Sequence, residues 1–280
     1  MKKVLAFITI TRPLNILQST IAVLITAAFF NIYPSLSQII YTILTVGLCL
    51  GAGNVINDYF DLKTDKSNKP HKPLPSSLIS PKEALLYSTI LFSIGILTFL
   101  KIKTHATTLI LVVNIAILIL YTPILKPIPL TGNLAVSYLL GSVFLFSSDI
   151  FGNISIGYIP FFLALTFNLA RELIKDMEDE VGDKIYCINT FPVKYGMKFS
   201  KIIAYILILI INIGCFIPYY LGIYGKFYLI GVIISIETPL IFVLYLLLVS
   251  KESKDFARIS NIMKTLVFFG LLSIYFGKFI

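Results

Sequence analysis

Residues 57–65 read NDYFDLKTD, and residues 175–183 read KDMEDEVGD. Both stretches contain the spacing D-x-x-D-x-x-x-D, and the second copy begins 118 residues after the first. On a helix with 100° per residue, the three aspartates of each copy fall within an arc of about 60° on one face. Carboxylates this close repel one another unless a cation neutralises them. Two such faces opposed across a cavity are suited to hard divalent cations and to the diphosphate that those cations carry.

The rest of the chain is strongly apolar. Of its 280 residues 57% are hydrophobic and 13% are charged, and the mean hydropathy is +0.90. Apolar stretches of about 20 residues recur along the sequence, which is typical of membrane-spanning helices. We therefore predict an all-α polytopic membrane protein in which residues 1–280 form a single transmembrane domain. A soluble enzyme with one anchor is excluded, and the three cysteines, Cys49, Cys187 and Cys215, are expected to be inert buried thiols.

Nine spans can be drawn, near residues 13–32, 37–57, 84–100, 105–122, 131–148, 155–174, 200–219, 227–249 and 261–279. With the N-terminus inside, 19 of the 23 lysines and arginines fall on the cytoplasmic side and 4 outside. The net charge of +9 is therefore explained by membrane topology, and no nucleic-acid partner is expected. The two aspartate clusters follow spans 2 and 6, so both face the cytoplasm. We predict two parallel four-helix halves plus a ninth helix around a central cavity, with long cytoplasmic loops at 58–83 and 175–199.

The repeated acidic residues are the candidate metal ligands. The first copy also contains an asparagine whose amide oxygen can ligate a metal. An ordinary solvated helix end is the alternative for either copy alone, but the same spacing on the same side of the membrane favours a shared function. The predicted metal ligands are Asn57, Asp58, Asp61, Asp65, Asp176, Asp179 and Asp183, of which Asp61, Asp65, Asp179 and Asp183 are the predicted catalytic residues.

The second copy differs from the first by carrying cations. Lys175 occupies the position of Asn57, and Arg171 precedes it by four residues. A guanidinium and an ammonium can hold diphosphate oxygens directly, so these two residues are the candidate diphosphate ligands. The alternative is that they only contribute to the positive charge of the cytoplasmic side.

A basic loop and a polar helix start are the candidate acceptor site. Lys69, His71 and Lys72 lie among three prolines that stiffen the segment after the first cluster, a pattern that suits an anionic group on a substrate. Asn15 follows Arg12-Pro13 at the cytoplasmic start of the first span, where it could reach the cavity. Topological charge for the loop, and helix capping for Asn15, remain the alternatives.

These motifs resemble those of the UbiA prenyltransferase superfamily over essentially the whole chain. The family's first signature, N-D-x-x-D-x-x-x-D, is matched by residues 57–65, and its second aspartate-rich signature is matched by Asp176, Asp179 and Asp183. The resemblance implies a nine-helix fold, Mg²⁺ held by the carboxylates, an isoprenyl diphosphate donor, and transfer of the prenyl group to an acceptor.

Within the superfamily, the R-P-x-N start and the K-P-H-K-P-L-P loop resemble the branch that builds archaeal ether lipids. That resemblance implies transfer from geranylgeranyl diphosphate to the free hydroxyl of geranylgeranylglyceryl phosphate, in the cell membrane, with the active site facing the cytoplasm and the lipid bilayer as partner. A branch with an aromatic acceptor, of the quinone or haem pathways, is the alternative. A cation transporter fits less well, because its carboxylates would lie near mid-membrane rather than at helix ends.

Overall fold

The computed structural model describes residues 2–30, 32–185 and 188–277, without the side chains of Ser67 and Asn68. This part of the chain is mostly helical, with no strand. The α-helices are α1 (Lys2–Ile10), α2 (Pro13–Ala28), α3 (Leu36–Phe60), α4 (Leu62–Asn68), α5 (Pro81–Phe99), α6 (His105–Leu120), α7 (Thr131–Ile150), α8 (Tyr158–Ile185), α9 (Phe191–Tyr195), α10 (Met197–Tyr220), α11 (Lys226–Val232), α12 (Thr238–Val249) and α13 (Ser253–Phe276). Single π-helical turns lie at Tyr121–Leu125 and Ile233–Glu237, and a 3₁₀ turn lies at Ile154–Gly157.

The helices have the length and composition of membrane spans. In the described residues eight helical segments are long and apolar enough to cross a bilayer, and α1 with α2, bent by 49°, gives a ninth if the pair is counted as one span. A helix satisfies its backbone hydrogen bonds within itself, which a lipid environment requires. The predicted all-α class and the set of about nine spans are confirmed, and the protein is an integral membrane protein.

The chain divides into two compact units. The first comprises Met1–Leu125 with Val143–Gly157, and the second comprises Lys126–Ser142 with Tyr158–Ile280. In the first unit α3 packs against α2, α5 and α6, and in the second α8 packs against α10 and α13. The predicted boundary between the fourth and fifth spans agrees with this division, except that the last part of α7 belongs to the first unit.

The segments predicted as long cytoplasmic loops are partly helical. The segment 58–83 begins with the end of α3 and with α4, and the segment 175–199 begins with about the last three turns of α8. The loop prediction was wrong there because polar residues can extend a helix beyond its apolar stretch. Lys184 pairs with Glu180 one turn earlier in α8, a spacing that stabilises helices.

The interruptions in the spans have local causes. Pro239 has no backbone N–H, and the π-helical turn Ile233–Glu237 directly precedes it, where the Thr238 hydroxyl donates to the Ile233 carbonyl at 2.8 Å. The break between α1 and α2 lies at Arg12, whose φ of 55° and ψ of 71° are left-handed. Pro13 disfavours the right-handed helical conformation of the residue before it, so the helix cannot continue through Arg12.

Two of the three cysteines lie in the described residues, and both behave as predicted. Cys49 and Cys215 are buried and not disulfide-bonded, whereas Cys187 lies outside the described residues. Cys49 of α3 lies against Gly95 of α5. A Cβ added to Gly95 would lie 2.8 Å from the Cys49 sulfur and 3.5 Å from its backbone nitrogen.

Substitution at Gly95 tests this contact. We expect Gly95→Ala to lower the free energy of unfolding by about 1–3 kcal/mol, because α5 must move away from α3 to admit the methyl group. Adding Cys49→Ala should recover most of the loss. The measurement is thermal unfolding in detergent, with Gly270→Ala as the control, since its nearest neighbour would be a side-chain atom of Ile236 at 3.7 Å. Equal effects at Gly95 and Gly270 would contradict the close packing.

Candidate functional site

The first aspartate cluster lies at the end of α3 and is held by cations. Asp58 and Asp65 are 3% and 6% exposed. The Lys72 ammonium donates to both, at 3.1 Å to Asp58 Oδ1 and 2.7 Å to Asp65 Oδ2. The Arg12 guanidinium also donates to Asp58 Oδ1, at 2.9 Å. Buried carboxylates are tolerated when they are paired and hydrogen-bonded in this way, so the cluster depends on segments outside α3.

The three aspartates of this cluster do not share one uninterrupted helix. Asp58 is on α3 and Asp65 is on α4, while Asp61 is half-buried at the junction between them. The helix is interrupted at this one residue, but Asp58 and Asp65 still lie on one side, where the Lys72 ammonium contacts both. The Asp61 carbonyl accepts from the Asp65 N–H at 2.8 Å and from the Thr64 hydroxyl at 2.8 Å, and such side-chain hydrogen bonds compete with regular helix geometry.

Asn57, the amide of the first motif, is held by a residue from another helix. The Thr122 hydroxyl donates to Asn57 Oδ1 at 2.8 Å. Thr122 lies in the π-helical turn Tyr121–Leu125, which redirects the side chains of that segment. Irregular turns of this kind are frequent at functional sites.

The second cluster lies on one continuous helix, as predicted. Asp176, Asp179 and Asp183 all belong to α8. Asn133 on α7 donates its amide N–H to Asp176 Oδ2 at 2.8 Å, which orients that carboxylate. Asp176 and Asp183 are half-buried, whereas Asp179 is exposed.

The two predicted diphosphate ligands share an acidic partner. Glu172 lies 2.6 Å from the Arg171 guanidinium and 3.6 Å from the Lys175 ammonium. The side chain of Glu172 is 13% exposed, and that of Lys175 is 47% exposed. The Nε of Arg171 is buried and has no hydrogen-bond partner among the described residues, so this guanidinium is not fully satisfied by the protein.

The predicted acceptor residues separate into two groups. Lys72 contacts the carboxylates of the first cluster, as described above. Lys69 and His71 are exposed on the same loop, and Asn15 is half-buried in the first turn of α2. The structure therefore brings one of these four residues to the aspartates.

Four residues of the two clusters were missed by the sequence interpretation. Arg12 was noted only at the start of a span, and Glu172 was given no role. Thr122 and Asn133 carry no signal in the sequence, because they lie 65 and 43 residues from the partners they contact. The Arg-Pro pair at a predicted span start was the one available signal for Arg12.

The donor atoms fit a hard divalent cation. They are carboxylate oxygens and one amide oxygen, the ligand types that Mg²⁺ prefers. Among the described residues, no three His, Cys, Asp or Glu side chains lie close enough together to hold a metal on their own. Protein cations lie among the carboxylates of the first cluster instead, so binding there requires Lys72 and Arg12 to share those oxygens with the ion.

Comparisons with known proteins agree with this chemistry. The profile of the UbiA prenyltransferase family matches residues 17–270. The chain is 35% identical over 271 residues to the digeranylgeranylglyceryl phosphate synthase of Methanosphaera stadtmanae, which covers 97% of this chain and 98% of the relative.

Solved structures give the same result. A structure of a digeranylgeranylglyceryl phosphate synthase in membranes superposes with a TM-score of 0.83 at 32% identity, over 99% of both chains. A UbiA homolog from Archaeoglobus fulgidus bound to GPP and Mg²⁺ superposes with a TM-score of 0.69 at 19% identity, over 96% of this chain and 99% of that one, and therefore shares the fold. The family match covers most of both compact units. The chain belongs to the UbiA prenyltransferase family.

Proposed function

We propose that this chain transfers a geranylgeranyl group from geranylgeranyl diphosphate to the free hydroxyl of geranylgeranylglyceryl phosphate. The product carries two ether-linked chains, and diphosphate is released. The observation that carries the proposal is the full-length similarity to a solved digeranylgeranylglyceryl phosphate synthase. We also propose that residues 1–280 act as a single transmembrane prenyltransferase domain, which the family match across both compact units supports.

The two aspartate clusters provide the ligands for the donor's metal ions in this proposal. The oxygens come from Asn57, Asp58, Asp61, Asp65, Asp176, Asp179 and Asp183. Mg²⁺, when bound, supplies positive charge that offsets the charge developing on the departing diphosphate. Thr122 and Asn133 orient one ligand in each cluster through the hydrogen bonds described above.

The cations of the second cluster bind the diphosphate itself. Arg171 has a donor with no hydrogen-bond partner in the part of the chain that the structure describes, and Lys175 is accessible. Glu172 pairs with both side chains, so the guanidinium and the ammonium stay close together instead of sampling many rotamers. Cleavage of the allylic C1–O bond is assisted because these groups stabilise the negative charge of the leaving group.

The acceptor brings a phosphate of its own. In our proposal Asn15, Lys69, His71 and Lys72 bind it, with Lys69 and His71 exposed on the proline-stiffened loop. The acceptor hydroxyl then attacks C1, the ether C–O bond forms, and the hydroxyl proton is released. Lys72 has a second task, because its ammonium already neutralises Asp58 and Asp65.

The first prediction concerns the two clusters. Asp61→Ala and Asp179→Ala should each lower kcat/KM at least about 100-fold, because either change removes a metal ligand and unbalances the charge of the site. The control is Glu180→Gln on the same helix, whose carboxylate pairs with Lys184 and should matter less than about twofold. Near-normal activity of Asp179→Ala at saturating Mg²⁺ would show that the second cluster is not required.

The second prediction concerns the acceptor. Purified protein supplied with geranylgeranyl diphosphate should prenylate geranylgeranylglyceryl phosphate and not 4-hydroxybenzoate. Lys69→Ala should raise the KM for the phosphorylated acceptor by about two- to fivefold, the range of a solvent-exposed ion pair, and leave the KM for the donor unchanged. The control is Lys63→Ala, an exposed lysine outside the loop. Prenylation of the aromatic acid alone would refute the ether-lipid assignment and leave the family assignment intact.

The third prediction concerns orientation, since we propose that the N-terminus and both clusters face the cytoplasm. In a chain whose native cysteines are replaced by serine, single cysteines at the exposed positions Lys66 and Lys184 should be protected in intact cells from an impermeant thiol reagent. Cysteines at the exposed positions Lys101 and Lys226 should react. Reaction of position 66 or 184 from outside would overturn the proposed orientation.

A further inference from the structure

The break between α1 and α2 leaves the carbonyl of the buried Thr11 without its helical partner. In a continuous helix the Thr11 carbonyl would accept from the N–H of Asn15. Here the Asn15 N–H donates to the Arg12 carbonyl at 3.0 Å instead. Thr11 is 8% exposed, so its carbonyl needs a donor from elsewhere in the protein.

Asn54 supplies that donor. Its side-chain N–H donates to the Thr11 carbonyl at 2.9 Å, and Asn54 is 5% exposed. The contact is specific for the break, because in a continuous helix the Thr11 carbonyl would already accept from a backbone N–H. An aliphatic side chain of the same size would leave the Thr11 carbonyl buried and unpaired.

The same face of α3 also binds Arg12, the residue that follows Thr11 in the break. Asn54 and Asp58 are four residues apart on α3 and therefore lie on one face, one turn apart. Asn54 binds the backbone of Thr11, and Asp58 binds the side chain of Arg12. The two hydrogen bonds fix two consecutive residues of the break against two consecutive turns of α3.

Small residues on that face allow the close approach. A Cβ added to Gly51 would lie 3.5 Å from the Thr11 Cβ, and one added to Gly47 would lie 3.2 Å from Ile16 Cγ2. Residues 47, 51, 54 and 58 follow the spacing of one helix face. This face of α3 is therefore shaped to receive the start of α2.

We propose that Asn54 is a positioning residue, which fixes the helix break so that the Arg12 guanidinium stays on Asp58. The inference rests on the proposed function in one respect, namely that Asp58 is a metal ligand. Asn54 touches neither substrate nor metal in this proposal. It acts through Arg12, whose left-handed backbone conformation is unfavourable for a residue with a side chain and needs support from its surroundings.

The proposal predicts that metal binding becomes tighter, whereas general damage to the structure would weaken it. Arg12 is a counter-ion of Asp58, so releasing it leaves the carboxylate more available to a free divalent cation. Asn54→Leu should therefore tighten binding of Mn²⁺ in the absence of substrate by about two- to fivefold, the range for a partly exposed ion pair. Arg12→Gln should tighten it similarly, and the double variant should do no more than the single ones.

The experiment measures Mn²⁺ binding by electron paramagnetic resonance on the purified full chain in detergent, at low ionic strength. Asn168→Leu is the matched control, since Asn168 is 7% exposed and donates to a backbone carbonyl of its own helix at 2.8 Å. It should leave Mn²⁺ binding unchanged. Hydrogen exchange at residues 14–16 should accelerate in Asn54→Leu and not in Asn168→Leu. If Asn54→Leu does not fold, Asn54→Ala is measured in the same way.

Two outcomes overturn the inference. Weakened or unchanged Mn²⁺ binding in the Asn54 variant, or additive effects of the Asn54 and Arg12 substitutions, would show that Asn54 does not act through Arg12. Asp58→Asn separates this failure from failure of the proposed function. If Asp58→Asn weakens Mn²⁺ binding and the Asn54 variant does not tighten it, only the inference falls. If Asp58→Asn has no effect, the metal role of Asp58 and the inference fall together.

Discussion

The burial of Asp58 and Asp65 constrains the first compact unit. Two carboxylates inside a protein must be neutralised, and here the charges come from Lys72 and Arg12. Lys72 can reach them because the segment after α4 turns back over the end of α3. Arg12 can reach Asp58 because the first span breaks at this residue instead of continuing as a straight helix. The path of the chain around α3 thus follows from the need to pair these two acids.

The two copies of the acidic motif are supported in different ways. The first receives its cations from outside its own helix, whereas the second carries Arg171 and Lys175 on α8 and restrains both through Glu172. In the first copy Asn54 and Asn57 occupy the positions of Glu172 and Lys175, and their amides bind a backbone carbonyl and a hydroxyl. The repeat in the sequence therefore does not imply equal surroundings, because amides flank the first copy where charged side chains flank the second.

Irregular backbone occurs in this protein where side chains compensate for it. A lipid environment offers no hydrogen bonds to a broken helix, so each interruption needs a partner within the protein. Asn54 provides one at the α1–α2 break, and at the π-helical turn before Pro239 the Ile233 carbonyl accepts from both the N–H and the hydroxyl of Thr238. The turn at Tyr121–Leu125 has a further consequence, because it directs Thr122 to Asn57. Breaks in the spans are in this way linked to the placement of polar groups.

The sequence by itself determined the helical membrane class, the approximate spans and the two aspartate clusters. These features depend on composition and on periodicity along single helices, which a sequence displays directly. The sequence also placed Lys72 in a stiff basic loop, but it did not show that Lys72 contacts Asp58 and Asp65. The sequence did not reveal the helix junction at Asp61, because the junction is accompanied by a local hydrogen bond from the Thr64 hydroxyl to the Asp61 carbonyl.

The tertiary structure alone decided which side chain faces which carboxylate. Lys72 lies 14 residues from Asp58, Arg12 lies 46 residues from it, and Thr122 lies 65 residues from Asn57. Such pairs depend on the rotation and separation of packed helices, and these are set by the fit of many side chains at once. A hydrogen bond also requires its two atoms to lie within about 3 Å of each other, a precision that periodicity along one helix does not supply.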